Sequence, residues 1–450
     1  MTYHDALAFV FGLLERDGAP AVGYDERRLK RMETLLSRLG EPHRRVRTVL
    51  VAGTKGKGST AVMLASILEA AGRTVGLYTK PHLLDYRERI RINSTLIAPE
   101  SLAERVERIR PHVEAMRSQP LGLPTYFEVS VALAFDYFAS RAVDLAIMEV
   151  GLGGRLDATN VAEPILSVLT PVSFDHMEVL GRTLESITRE KAGIIRPHGL
   201  VVSSPQAPEA LAEVIDVCNA QQATLVVADE VMQWGQVNAS LHGQTFRLRG
   251  PSRDYGELML PLVGAHQLVN AATAVAAADV LSGQGFPYFT EAVRDGFASL
   301  RWPARIEVIR ERPAVVLDVA HNPASIGALR HALEALFPGR RIILVIGMVA
   351  THDHRASTSL VAPLAETVIA TTPQHVRPLP AEALAAEAAR YAAAVEVIPD
   401  RFAAVDRALA LAGPDDVVVI TGSFFLVGDV RERLIQSPPS TRSPQSTRSA

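Results

Sequence analysis

Short apolar runs alternate with longer stretches of helical periodicity along most of the chain. Strands are predicted at 46–52, 74–78, 145–150, 165–169 and 200–203, and helices near 59–71, 99–116, 127–140 and 207–220. Such alternation specifies a mainly parallel sheet flanked by helices. Residues 224–262 differ, because stretches such as Thr245-Phe246-Arg247-Leu248 alternate in polarity and predict an antiparallel annex, followed by an Ala-rich helix over 267–281. The segment GFASLRWPA, 296–304, breaks the pattern. A second alternation follows, with strands predicted at 306–309, 315–317, 341–346, 367–370, 395–398 and 416–420. The chain therefore reads as two α/β domains, 1–298 and 299–436. The tail 437–450, SPPSTRSPQSTRSA, has no apolar periodicity and is expected to be disordered.

Composition narrows the function. With 46 Lys and Arg against 49 Asp and Glu, the net charge of −3 offers no broad basic surface for nucleic acid, so any bound anion is held locally. The single cysteine, Cys218, excludes an internal disulfide and a thiolate metal cluster, which suits a reducing cytosol. No apolar run reaches the roughly 18 residues of a membrane span, and the first residues, MTYHDALAFVFGLLERDG, are acidic where a signal peptide would be basic. A soluble cytoplasmic protein without membrane or nucleic-acid partners is expected.

The candidate chemistry begins at VAGTKGKGST, 51–60, between a predicted strand and a helix. Glycines there leave free backbone N–H groups at the positive end of the helix dipole, where phosphate oxygens fit. Gly56, Lys57, Gly58, Ser59 and Thr60 form a shortened variant of the phosphate-loop motif, in which Lys57 can reach the β- and γ-phosphates and Ser59 or Thr60 can join magnesium. The bland alternative is a glycine-rich turn with solvated lysines. Glu149 ends the next buried strand, where an α/β sheet places a metal ligand, and GLGGRLDATN follows it. Asp175 and His176 lie on the loop after the strand at 165–169; a loop histidine can equally be a surface residue. Lys191 in TREKAGIIRP sits at a helix end, where a lysine also has a plain role as dipole partner.

The blocks VAGTKGKGS, YTKPHLLDYRERI, TYFEVSVALAF, MEVGLGGRLDATN, DHMEVLGRTLESITREKAGIIRP, GAHQLVNAATA, WPARIEVI, LDVAHNPAS and TGSFFLVGDVR, in this order over roughly residues 20–435, resemble the folylpolyglutamate synthases and bifunctional dihydrofolate synthases of the Mur ligase superfamily. The resemblance implies a P-loop-type, mainly parallel sheet ATPase domain followed by a smaller Rossmann-like α/β ligase domain. It also implies an enzyme of folate biosynthesis and one-carbon metabolism that uses ATP and two magnesium ions to add L-glutamate to dihydropteroate or a reduced folate through an acyl phosphate. Catalysis would fall to Lys57, His176 and Lys191, and the metals to Ser59, Glu149, His176 and a carbamylated Lys191. Asn270 would contact adenine, Arg305 the phosphates and Asp318 the ribose, with His321 nearby, so that ATP would lie between the domains. The pterin pocket would draw on Tyr24, Asp25 and Arg27, on Thr125, Tyr126, Phe127 and Glu128, and on Leu156, Asp157 and Ala158; Ser423 is the candidate glutamate contact. A monomer acting on small molecules is expected.

The sequence departs from the family pattern in places. Lys55 stands where Asn is usual, Lys80 where a magnesium-ligating Ser is usual, and Thr351-His352 replace the Asp-Lys of a segment whose last Asp survives as Asp353. An ammonium has no lone pair, so Lys80 is expected to contact a phosphate or carboxylate oxygen as a second cation. Two alternatives stay open: a Mur-type ligase for another carboxylate, although only ~45 residues precede the loop, too few for a further domain; and a non-catalytic nucleotide-binding protein.

Overall fold

Residues 48–52, TVLVA, are buried throughout, as a strand must be when helices cover both faces of its sheet. In the computed structural model, which describes residues 1–16, 24–351 and 353–436, they form β1 (Thr48–Ala52) of an eight-stranded sheet. The tail 437–450 and His352 lie outside the described residues. The other strands are β2 (Val75–Tyr78), β3 (Ile90–Ile92), β4 (Thr95–Leu96), β5 (Leu145–Glu149), β6 (Pro164–Leu169), β7 (Leu200–Ser203) and β8 (Thr224–Val227), in the order β4-β3-β2-β5-β1-β6-β7-β8. From β2 to β8 the pairing is parallel, and β3 and β4 add an antiparallel edge.

With β1 between β5 and β6, Val51 pairs with Glu149 and Ala52 with Leu169, so the loops that leave these three strands open at one sheet edge. One face packs Val10, Leu13, Leu35, Leu36 and Phe135 from the helices Tyr3–Arg16, Arg27–Arg38 and Tyr126–Ser140 against Leu50, Tyr78 and Met148. The other packs Val49, Val51 and Ile147 against Leu64, Val275 and Phe297 from the helices Lys57–Ala70, Ala265–Ser282 and Thr290–Ser299.

The expected annex begins later than 224. Thr224–Val227 joins the main sheet as a parallel edge strand, half-exposed, and its mixed polarity mimics an antiparallel strand. The annex proper is β9 (Gln233–Ser240), β10 (Gly243–Arg249) and β11 (Asp254–Leu260), all antiparallel.

The chain divides into two compact units at Pro303/Ala304, inside the segment 296–304. The second unit holds a six-stranded sheet built from β12 (Glu307–Glu311), β13 (Ala314–Leu317), β14 (Ile342–Ile346), β15 (Thr367–Ala370), β16 (Ala394–Val397) and β17 (Val417–Thr421). Its order is β12-β13-β17-β14-β15-β16, parallel except for β12. Among the described residues no helix is long and apolar enough to cross a membrane.

Candidate active site

The loop after β1 turns into its helix through Gly56, whose φ of 77° is left-handed and whose added Cβ would stand 2.2 Å from Asn270 Oδ1. Only glycine suits both conditions, and the turn leaves the first N–H groups of the helix open at its N-terminus. Thr54 ties this loop to the one after β6: its N–H donates to Pro171 O, its hydroxyl donates to Ser173 O, and Ser173 N–H donates back to the hydroxyl, all at 3.0 Å.

Two ammonium groups converge on one carbonyl of this loop. Lys57 Nζ donates to Gly53 O at 3.1 Å and to Thr54 O at 3.3 Å, and Lys191 Nζ donates to Gly53 O at 2.9 Å. Burial, then the charge of Lys57, brings Lys191 down to about 7. Lys80 belongs to the same field: burial and Lys57 lower it to about 8, while its backbone N–H donates to Glu149 Oε2 at 3.1 Å. Lys55, half-buried, is lowered by burial and opposed by Asp175.

Buried oxygens complete the cluster. Glu149 and Ser59 are buried, and Thr60 Oγ1 is buried without a hydrogen-bond partner. A Cβ built on Gly58 would stand 3.2 Å from Glu149 Oε2, so the carboxylate lies against the first turn of the helix, and a buried carboxylate of this kind fits a hard cation that takes oxygen ligands. No group of three His, Cys, Asp or Glu side chains suited to a metal occurs among the described residues, so Glu149 and His176 are not assembled into such a cage. His176 starts a short helix at φ 50°, its ring 43 % exposed and 3.9 Å from both Asp175 Oδ1 and Glu178 Oε1. Partial desolvation lowers its pKa against the pull of Asp175.

The expected pterin residues lie on the loop after β5 and around it. Phe127 lies against Gly151 so closely that a Cβ there would stand 2.3 Å from its Cζ. Tyr24 Oη donates to Glu190 Oε2 at 2.9 Å, and Arg155 Nε donates to Glu190 Oε1 at 2.9 Å, which ties the loop after β5 to the helix Leu184–Ala192. Thr125 caps the helix Tyr126–Ser140, and Leu156 and Ala158 are buried.

Other expected substrate residues are held by partners within the protein. Tyr126 is 7 % exposed, stacked on Phe11 at 6.0 Å with the Arg89 guanidinium 5.3 Å from its ring, so it is core. Both oxygens of Glu128 go to Arg31, one of them also to Thr125 N–H. Asp157 accepts from the N–H groups of Gly151, Leu152 and Thr159 and from the Thr159 hydroxyl, at 2.7–3.0 Å, and so braces the loop. Asp25 and Arg27 pair with each other at the surface at 2.6 Å. Arg31 was not expected at all. Its signal was a charge within the apolar stripe Met32, Leu35, Leu36 of KRMETLL.

In the second unit, Asp318 accepts from Ile306 N–H and Ala320 N–H, both at 2.8 Å; burial raises it to about 6, with Arg305 opposing. The Arg305 guanidinium lies 5.0 Å from the Phe424 ring, and the His321 ring centroid 5.7 Å from it. Ser423 Oγ accepts from Phe425 N–H at 3.1 Å, and Asp353 caps the helix His354–Val361. Asn270 is buried, its amide donating to Gln267 Oε1.

Residues 51–278 match the Mur ligase middle domain, and residues 304–424 match the Mur ligase glutamate ligase domain. The dihydrofolate synthase/folylpolyglutamate synthase of Bacillus subtilis is 34% identical, over 96% of this chain and 99% of its own length. The folylpolyglutamate synthase of Mycobacterium tuberculosis complexed with ADP superposes with a TM-score of 0.89 at 32% identity, over 97% of this chain and 100% of that one. The Escherichia coli FolC structure with DHPP and ADP superposes with a TM-score of 0.82 at 31% identity, over 96% and 98%. A phosphate loop, two lysines on one of its carbonyls, and full-length likeness to these proteins lead to one conclusion: the chain belongs to the folylpolyglutamate synthase/dihydrofolate synthase family of Mur ligases.

Proposed function

We propose that the protein is an ATP-dependent ligase that joins L-glutamate to the carboxylate of dihydropteroate or a reduced folate through an acyl phosphate. The observation that carries this reading is the meeting of Lys57, Lys80 and Lys191 around Gly53 and Glu149, on the sheet edge that also bears the loop 151–158. A carboxylate that attacks a triphosphate must overcome like-charge repulsion, and fixed cations lower that barrier.

In this reading the loop amides of Gly56, Gly58 and Ser59 cradle phosphate, and Lys57 leaves Gly53 O for the β- and γ-phosphates. Asn270 faces adenine, Arg305 the phosphates and Asp318 the ribose, with His321 beside it. Magnesium, held by the Ser59 or Thr60 hydroxyl, Glu149 and His176, with a second ion at a carbamylated Lys191, would neutralise the triphosphate. A lysine lowered to about 7 has the neutral amine that reacts with carbon dioxide. Lys80 serves as a tethered cation toward a phosphate or carboxylate oxygen. Tyr24, Thr125, Phe127, Leu156 and Ala158 shape the pterin pocket, where the Phe127 ring offers a flat apolar face, and Ser423 meets glutamate. The enzyme works as a cytoplasmic monomer on small molecules.

Phosphate release from ATP is the test. It should require glutamate together with dihydropteroate or tetrahydrofolate, and the two pteroyl substrates, assayed separately, tell the first glutamate from later ones. Nucleotide binding without turnover on either would overturn the reading.

A further inference from the structure

Arg31 is a charge where the fold calls for an apolar side chain. It lies on the buried stripe of the helix Arg27–Arg38, between Met32, Leu35 and Leu36, and is only 2 % exposed. Its guanidinium grips Glu128 with two prongs, Nε to Oε2 and Nη2 to Oε1, both at 2.7 Å, and Nη1 donates to Leu121 O at 3.2 Å. Glu128 in turn accepts from Thr125 N–H at 2.8 Å, while its own N–H donates to Thr125 Oγ1 at 3.2 Å. Three segments meet in this knot: the helix that carries Arg31, the loop at Leu121, and the first turn of the helix Tyr126–Ser140.

Taking both charges out of water is expensive, and well-packed apolar residues of similar volume usually stabilise a fold as well or better. What the pair supplies is direction. A two-pronged contact to a planar carboxylate fixes distance and angle together, and Glu128 follows Phe127, whose ring rests on Gly151. At the other end, the helix of Arg31 begins just after Tyr24, which reaches Glu190.

We propose that the Arg31–Glu128 pair is a positioning device that sets the Phe127 wall of the pteroyl pocket against the loop after β5, and thereby determines affinity for the pteroyl substrate without touching it. This rests on the pteroyl reading given above.

The test compares the intact chain with Arg31→Met, Arg31→Lys and the double variant Arg31→Met/Glu128→Met, measuring melting temperature and the KM for dihydropteroate, for tetrahydrofolate and for ATP. Arg31→Met leaves a buried carboxylate unpaired and should melt earlier; the double variant removes both charges and should recover the melting temperature. The KM of the pteroyl substrate should rise about tenfold or more in both, as small misplacements of a binding wall do, with the KM for ATP unchanged and Arg31→Lys intermediate. A double variant with wild-type melting and wild-type pteroyl KM would show that the pair is structural only and overturn the assignment. Wild-type protein that turns over neither pteroyl substrate would instead overturn the reading of the pocket, and the assignment with it.

Discussion

At the scale of single residues, the site is a problem in placing positive charge. Lys57 and Lys191 share Gly53 O, so a phosphate that draws Lys57 away leaves that carbonyl to Lys191 alone. Lys57 is half-buried at the start of its helix, its ammonium on the loop carbonyls of Gly53 and Thr54, so Lys57→Ala should lower turnover by about 10²-fold or more with little change in melting temperature; an equal loss of both would assign it a structural role. Lys80 is the sharper case. Burial and Lys57 lower it to about 8, with Glu149 and Asp157 opposing, so its charge is felt within the same cluster. Lys80→Met keeps the stem and removes the charge: turnover should fall while stability holds, and an unchanged rate at saturating ATP and magnesium would contradict the cationic role. Asp318 supplies the pH dependence. Its folded value of about 6 lies above the ordinary one, so the stability it contributes is complete below the ordinary carboxylate range and is lost as pH rises through about 6. The proposed use of Asp318 as a ribose acceptor runs the other way, because protonation removes acceptor capacity. ADP affinity should therefore weaken as pH falls through about 6 in the wild type and stay weak and flat in Asp318→Ala; a wild-type profile flat across that range would contradict the assignment.

Elements differ in how plainly the sequence announces them. The strands β1 and β5 are buried throughout and β6 from Leu166 onward, so all three are apolar runs that can be read directly. At three and two residues, β3 and β4 are too short for any period to show, and β8 at its half-exposed edge imitates an antiparallel strand. The candidate chemistry at Gly56, Lys57 and Glu149 was legible because these residues sit at the ends of plainly patterned elements. The partners of the expected pocket residues were not legible: Tyr126 stacks on Phe11, Glu128 pairs with Arg31, and Asp157 accepts from the loop amides. Whether a carboxylate faces substrate or a neighbouring helix is decided by tertiary partners that no local pattern records. Gly56 tests the element that was legible. A Cβ there meets Asn270 at a left-handed φ, so Gly56→Ala should cost about 1–3 kcal/mol of local strain and weaken ADP binding; ADP bound as tightly as by the wild type would mean that the loop does not need its glycine turn.

For the molecule as a whole, alternation and the break at 296–304 gave two α/β units, and the structure divides within that break. Matches to the middle and glutamate ligase domains of Mur ligases fall on either side of it. Such a chain is expected to couple ATP cleavage to amide formation, and the coupling leaves an isotopic trace. If the pteroyl carboxylate attacks the γ-phosphate, one carboxylate oxygen departs with phosphate when the glutamate amine displaces it. Dihydropteroate or tetrahydrofolate labelled with oxygen-18 in the reacting carboxylate, incubated with ATP, magnesium, glutamate and the purified chain, should yield inorganic phosphate carrying one labelled oxygen for each amide formed; product amide that retains all of the label, or phosphate released without any, would contradict the account.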